Sequence, residues 1–160
     1  MTPAIRAAEK AAIRHRVHSY EHDPRASSYG TEAAEKLGLP SERVFKTLIV
    51  SLNGDRKRLA VGMIPVDRQL DLKAIARACG AKKAEMARAE DAERSSGYRV
   101  GGISPLGQKK ALPSVLDESA ADLDTLYVSA GRRGLEIELA PQDMLRLLDA
   151  RTAALAKSRT

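Results

Sequence analysis

Aromatic residues are scarce in this chain: among 160 residues there is no Trp, one Phe and four Tyr. A hydrophobic share of 43% still provides for one compact domain with a real core, which must be largely aliphatic. Cysteine is scarcer still. The single Cys79 excludes an intramolecular disulfide framework and a thiolate zinc cluster, and suits a reducing cytoplasm. No long apolar run opens the sequence, so neither a signal peptide nor a membrane span is expected.

Positive charge is plentiful. Lys and Arg number 27 against 21 acidic residues, a net charge of +6, which favours an anionic partner such as nucleic acid. Dibasic pairs stand at Lys82-Lys83, Lys109-Lys110 and Arg132-Arg133, each able to join a phosphate-facing surface.

The most informative stretch is Gly101-Gly102-Ile103-Ser104-Pro105-Leu106-Gly107-Gln108-Lys109-Lys110. Paired glycines let the backbone approach a ligand closely, and Pro105 fixes the turn ahead of two cations. Gly102 and Gly107 have the spacing of a nucleotide phosphate loop, but Gln108 stands where that loop needs lysine and no hydroxyl follows to hold magnesium. Nucleotide triphosphate hydrolysis is therefore rejected, and the loop reads as an oxygen-binding turn that presents backbone N–H groups. A second unusual segment is Val44 to Leu52, a β-prone run in which Lys46 shares a face with Val44, Leu48 and Val50. Taken alone, Lys46 reads as a strand-end lysine that snorkels to water.

Other chemistries find little support. Ser104 precedes a proline and lies outside any nucleophile elbow, and Ser129 is equally isolated. His15, His18 and His22 suggest a metal site by spacing, yet no cysteine or carboxylate set completes one, so structural or surface roles are favoured and no metal or cofactor is expected. Cys79 falls at the end of a short helix capped by Asp71 and stopped by Gly80, as a packing residue.

The expected elements alternate. Thr2 and Pro3 open a helix to about Arg14, a strand covers Val17 to His22, and Thr31 to Leu37 is a helix stopped at Gly38. Asn53-Gly54 joins Val44–Leu52 and Lys57–Ile64 as a hairpin. Helices are expected over Ala87–Arg94 and from Pro141 to Asp149, with strands at Thr125–Ser129 and Leu135–Leu139. Residues 1–149 form the single domain, and 150–160 read as a fraying polar tail.

The glycine loop and the Lys46 strand, together with His18 to Pro24, Glu32 to Gly38, Gln69 to Lys73, Gly80 to Lys83 and Tyr127 to Ser129, closely resemble the YbaK family of freestanding trans-editing deacylases. That family is related to the editing domain inserted in bacterial prolyl-tRNA synthetases. The resemblance implies an α+β fold with a curved, partly barrel-like mixed sheet surrounded by helices. It also implies removal of cysteine from mischarged Cys-tRNA(Pro), with the substrate's own thiol attacking the ester carbonyl. Lys46, Gly101 and Gly102 would be catalytic, and Tyr20, Tyr29, Ile103, Ser104, Pro105, Ser129 and Glu136 would bind substrate. Lys109, Lys110, Arg132 and Arg133 would bind tRNA. Ser129-Ala130-Gly131-Arg132-Arg133-Gly134 departs from the usual Ser-Gly-Gly-Lys-Arg-Gly, and Tyr29 replaces a common Phe. Alternatives are a deacylase for Ala-tRNA(Pro) or another misacylated tRNA, and a non-catalytic tRNA- or synthetase-binding module. The implied partners are misacylated tRNA(Pro) and prolyl-tRNA synthetase; the location is cytoplasmic, away from membranes, with monomer and weak dimer both left open.

Overall fold

A computed structural model describes residues 1–26 and 28–157, with the side chain of Tyr29 outside the described set. The chain folds as two β-sheets flanked by helices. Five strands, β2 (Phe45–Leu52), β3 (Asp55–Pro65), β4 (Ala84–Met86), β5 (Ser114–Asp117) and β8 (Arg151–Ala153), form one sheet in the order β4-β2-β3-β5-β8. Its pairings are mixed: β2 is antiparallel to β3 and β4, while β3–β5 and β5–β8 are parallel. The second sheet, in the order β1-β7-β6, is antiparallel and contains β1 (His15–Ser19), β6 (Leu126–Arg132) and β7 (Leu135–Leu139). A bridge between Val44 and Tyr127 links the sheets without closing them into a barrel.

Asn53 and Gly54 both take positive φ, 55° and 70°, which is the backbone a tight hairpin with right-twisted strands requires. The β2–β3 hairpin that results carries buried residues on both faces, because two aliphatic clusters pack against it. Phe45, Ile49, Val61 and Met63 join the larger core with Leu116, Val128 and Ile137, whereas Val50, Ala60 and Ile64 meet Ile75, Val115 and Leu155 on the other side. Helices α1 (Pro3–Lys10), α3 (Leu72–Ala78), α4 (Ala89–Ser96) and α5 (Pro141–Leu148) cover these clusters, and α2 (Tyr29–Leu37) packs Ala33 and Ala34 in a smaller third one with Val44, Val66 and Tyr127. Among the described residues no helix is long and apolar enough to cross a membrane.

Several boundaries differ from the sequence expectation, each for a local reason. Helix α1 stops at Lys10 rather than Arg14 because Ala12 turns into the left-handed region at φ 55° and the Ile13 N–H returns to the Ala8 carbonyl. Strand β1 ends at Ser19, so His22 lies beyond it. Helix α4 begins two residues late, since Ala87 N–H bonds the Ile49 carbonyl and keeps that stretch extended beside β2. The largest correction concerns the fraying tail. Residues 151–153 pair with β5, Leu155 is fully buried, and the Asp117 carboxylate accepts the Leu155 and Ala156 N–H groups at 2.8 and 3.0 Å. Burial opposes the charge on Asp117, but these bonds and those from Ser119 outweigh it and hold the carboxyl below its usual range.

Candidate active site

A cavity of about 420 Å³ opens between β2, α4, the glycine loop and the β6–β7 hairpin. That volume is in the range of small-molecule sites. Strand β2 supplies its floor with Phe45, Lys46, Thr47, Leu48 and Ile49; Tyr20, Gly101, Ile103, Ser129 and Glu136 complete much of the wall. Arg132 and Arg133 are exposed at its edge.

Lys46 is half-buried, and desolvation lowers its pKa despite the opposing pull of Asp67. It is therefore an under-solvated cation facing a cavity, which the snorkelling reading of the bare sequence does not describe. Glu136 is 6% exposed, and burial pushes its carboxyl up to about 8, so it is held as the neutral acid at neutral pH. Burial likewise raises the Tyr20 hydroxyl, with nearby Glu136 and Glu32 adding to the effect and the Gly134 backbone and Arg133 opposing it.

The glycine pair divides its work. Gly101 lines the cavity at φ 95°, a backbone that disfavours any side chain, and no acceptor for its N–H occurs among the described residues. Gly102 faces away: its N–H donates to the Arg99 carbonyl at 2.9 Å, and a Cβ there would stand 2.8 Å from the Arg132 backbone. This corrects the expectation that both amides point at substrate, and Gly102 instead permits the close approach of the loop to β6. Ser129 Oγ links the same two elements, donating to the Gly102 carbonyl at 3.2 Å and accepting the Gly131 N–H at 3.1 Å.

Ser104 and Pro105 were expected at the substrate and are instead buried outside the cavity lining. Ser104 Oγ accepts the Leu106 N–H and its carbonyl accepts Gln108 Nε2, so these residues shape the loop from beneath. Ala130 is also fully buried, its carbonyl accepting the Thr2 hydroxyl, and it does not reach the pocket edge. Tyr29, expected at the pocket wall, has its side chain outside the described residues. The four cations expected on tRNA separate: Arg132 and Arg133 line this cavity, while Lys109 and Lys110 line another cleft beyond α4.

Three features escaped the sequence reading. Thr47 Oγ1 is buried in the cavity wall with no hydrogen-bond partner among the described residues, a polar group whose need only packing reveals. Met86 and Val100 are large apolar residues about half exposed that also line the cavity. His22 Nδ1 contacts Glu32 Oε1 at 2.7 Å, and Glu32 also accepts the Asp23 N–H; these contacts outweigh burial and hold its carboxyl below the usual range. His18 pairs instead with Glu138 at 2.9 Å and His15 with the Ile13 carbonyl, so the three histidines go to separate partners.

The sequence pattern of the aminoacyl-tRNA editing domain matches residues 23–147, which contain β2, the glycine loop and the β6–β7 hairpin. The chain belongs to this family. An Enterococcus faecalis protein provisionally named as the Cys-tRNA(Pro)/Cys-tRNA(Cys) deacylase EbsC is 43% identical over 122 residues, 76% of this chain and 73% of that one. A proline–tRNA ligase of Acidithiobacillus ferrooxidans is 32% identical over 104 residues; the match spans 65% of this chain and only 18% of the ligase. Among solved structures, one described as a candidate trans-editing enzyme for prolyl-tRNA synthetase superposes with a TM-score of 0.81 at 22% identity, over 99% of both chains. Another, of a hypothetical protein, gives 0.85 at 23% identity over 97% of this chain and 99% of its own. The editing-domain fold and an enzyme of the aminoacyl-tRNA deacylase class follow, as the family resemblance of the sequence implies.

Proposed function

We propose that this protein is a deacylase that removes cysteine from mischarged Cys-tRNA(Pro), acting in the cytoplasm, where prolyl-tRNA synthetase would supply or deliver its substrate. The observation that carries this reading is one cavity lined by the desolvated Lys46 and the uncommitted Gly101 amide, with no histidine among its described lining residues. Ser129 Oγ is engaged by the Gly102 carbonyl and the Gly131 N–H, so the site supports orienting an activated ester and stabilising its developing oxyanion rather than attack by a serine–histidine pair.

In this reading the 3′-terminal aminoacyl-adenosine enters with its ester carbonyl toward the Gly101 amide and its polar end toward Lys46. The substrate thiol gives up its proton and its sulfur attacks the carbonyl carbon. The carbon–oxygen ester bond then breaks, the departing tRNA 3′-oxygen takes up a proton, and cysteine leaves as a cyclic thiolactone that water later opens. Thr47 Oγ1 offers a hydrogen bond to the bound residue, and neutral Glu136 adds no repelling anion to the cavity. The similarity to EbsC supports cysteine as the removed residue, and the partial match to a proline–tRNA ligase supports tRNA(Pro) as its carrier.

A deacylation panel of Cys-, Ala-, Ser- and Pro-tRNA(Pro), with and without prolyl-tRNA synthetase, tests the proposal. Preferential release from Cys-tRNA(Pro) is expected. Preferential release from Ala-tRNA(Pro) would replace the substrate, and tRNA binding without release from any member would leave a non-catalytic module.

A further inference from the structure

On the face of α4 turned away from the ester cavity lies a second cleft of about 310 Å³. Ala89 and Ala92 of that helix face the ester cavity, while Asp91, Arg94 and Ser95 line the second cleft with Arg56, Lys57, Lys109 and Lys110. Five cations thus line the cleft around Asp91, and Glu90 stands beside it against Arg56. Loop and helix hold them in place: Lys109 N–H donates to the Ser96 carbonyl at 2.9 Å and Lys110 N–H to the Ser95 carbonyl at 3.1 Å. Arg56 is fixed from the other side by Asp91, through Nε at 2.9 Å and Nη2 at 3.0 Å, and by Glu90 through Nη2 at 3.1 Å, which leaves its Nη1 hydrogens uncommitted among the described residues.

The cleft also contains an orphan. Ser95 Oγ is buried with no hydrogen-bond partner among the described residues, at the end of α4 where the cations gather. A buried hydroxyl left unpaired costs stability, whereas a phosphate oxygen would give it an acceptor and place the surrounding cations around a dianion or diester. The chemistry required is compact, anionic and rich in acceptors. Among the described lining residues Leu59 is the one aliphatic side chain, and the stems of the lysines and arginines supply further apolar surface.

We infer that this cleft is a phosphate subsite that grips a backbone phosphodiester of the tRNA while its 3′-terminal ester occupies the Lys46 cavity. This deepens the deacylase proposal and rests on it for the identity of the RNA. Because α4 separates the two clefts, the gripped phosphate is on the order of 10 Å, one helix diameter, from the ester. It therefore belongs to a nucleotide other than the one carrying the amino acid. Arg56, Lys57, Arg94 and Ser95 become tRNA contacts alongside Lys109 and Lys110.

The test measures equilibrium binding of uncharged tRNA(Pro) across a salt series for wild type, Lys57→Gln/Arg94→Gln and Ser95→Ala, with thermal melting of each. Both replaced cations are exposed, so the double variant should fold. Its log Kd against log salt should be shallower by about 1 to 2, since a protein with two fewer cations on the phosphates displaces fewer counterions when it binds. Ser95→Ala should melt at the same or a higher temperature yet bind roughly tenfold more weakly. An unchanged slope together with unchanged Ser95→Ala affinity overturns the subsite. Titration with inorganic phosphate, followed by NMR shifts, distinguishes the source: saturation by free phosphate without any effect on tRNA binding overturns the assignment to tRNA. Wild-type deacylation of Cys-tRNA(Pro) is measured in parallel. Normal deacylation with an unchanged slope sinks the subsite alone, whereas a changed slope without deacylation keeps the subsite and sinks the enzymatic reading.

Discussion

The two clefts on either side of α4 both contain lysines, and they use positive charge in opposite ways. Lys46 stands singly among apolar β2 residues, half-buried, with its pKa lowered by desolvation. Lys109 and Lys110 are exposed among other cations in the cleft that holds Asp91. A desolvated charge acts strongly over a short range on the group beside it, while solvated charges act collectively and are screened by salt. The first arrangement suits stabilisation of a reacting ester, and the second suits holding a polyanion.

If that division is right, Lys46→Ala should produce the largest loss, a roughly 1000-fold fall in single-turnover deacylation, while tRNA affinity and melting temperature stay near wild type. A folded Lys46→Ala protein with near-normal release would erase the distinction between the clefts. Gly101→Ala should follow, with roughly 100-fold slower release, because a side chain at φ 95° displaces the one uncommitted amide of the pair. Gly102→Ala should act chiefly on the fold, by about 1–3 kcal/mol, since its Cβ would meet the Arg132 backbone at 2.8 Å. Chemical denaturation and single-turnover rates on the same two variants read that split, and equal kinetic losses without destabilisation would contradict it.

Glu136 sharpens the contrast through pH. Its carboxyl is raised by burial from 4.5 to about 8, so within that window the native state retains a proton that the unfolded chain gives up. Stability should therefore fall as pH rises from about 4.5 to about 8, by at most about 1.4 kcal/mol per unit. In Glu136→Gln this decline should be reduced, leaving the variant more stable than wild type at pH 8 in urea unfolding. An identical pH profile for both proteins would show that the carboxyl is solvated. The smallest effect belongs to the exposed cations: Lys109→Gln/Lys110→Gln should flatten the salt dependence of tRNA binding by about 1 to 2 in slope, with little change in release at saturating enzyme.

Much of this was legible in the sequence wherever a local signal carried the structure. Asn53-Gly54 announced the hairpin, Asp71 and Gly80 bounded α3, and the glycine loop and Lys46 arrive at one cavity. What could not be read depended on contacts distant in sequence. Strand β8 is apolar in only part of its short run, and the Leu155 backbone just after it is held by Asp117 and Asp71 from elements far upstream. Pro105 and Ser104 looked available because their motif is distinctive, but burial inverts their part in it. Thr47 and Ser95 became notable only once packing had left their hydroxyls without partners among the described residues.

If the cavity orients an ester whose own thiol does the attacking, S-methylation of that thiol should abolish the reaction without changing the ester. Single-turnover release should be measured at saturating wild-type enzyme from Cys-tRNA(Pro) and from S-methylcysteinyl-tRNA(Pro). Rapid release from the first and a stable ester in the second is the predicted result. Equal release from both would contradict thiol attack and assign the step to water.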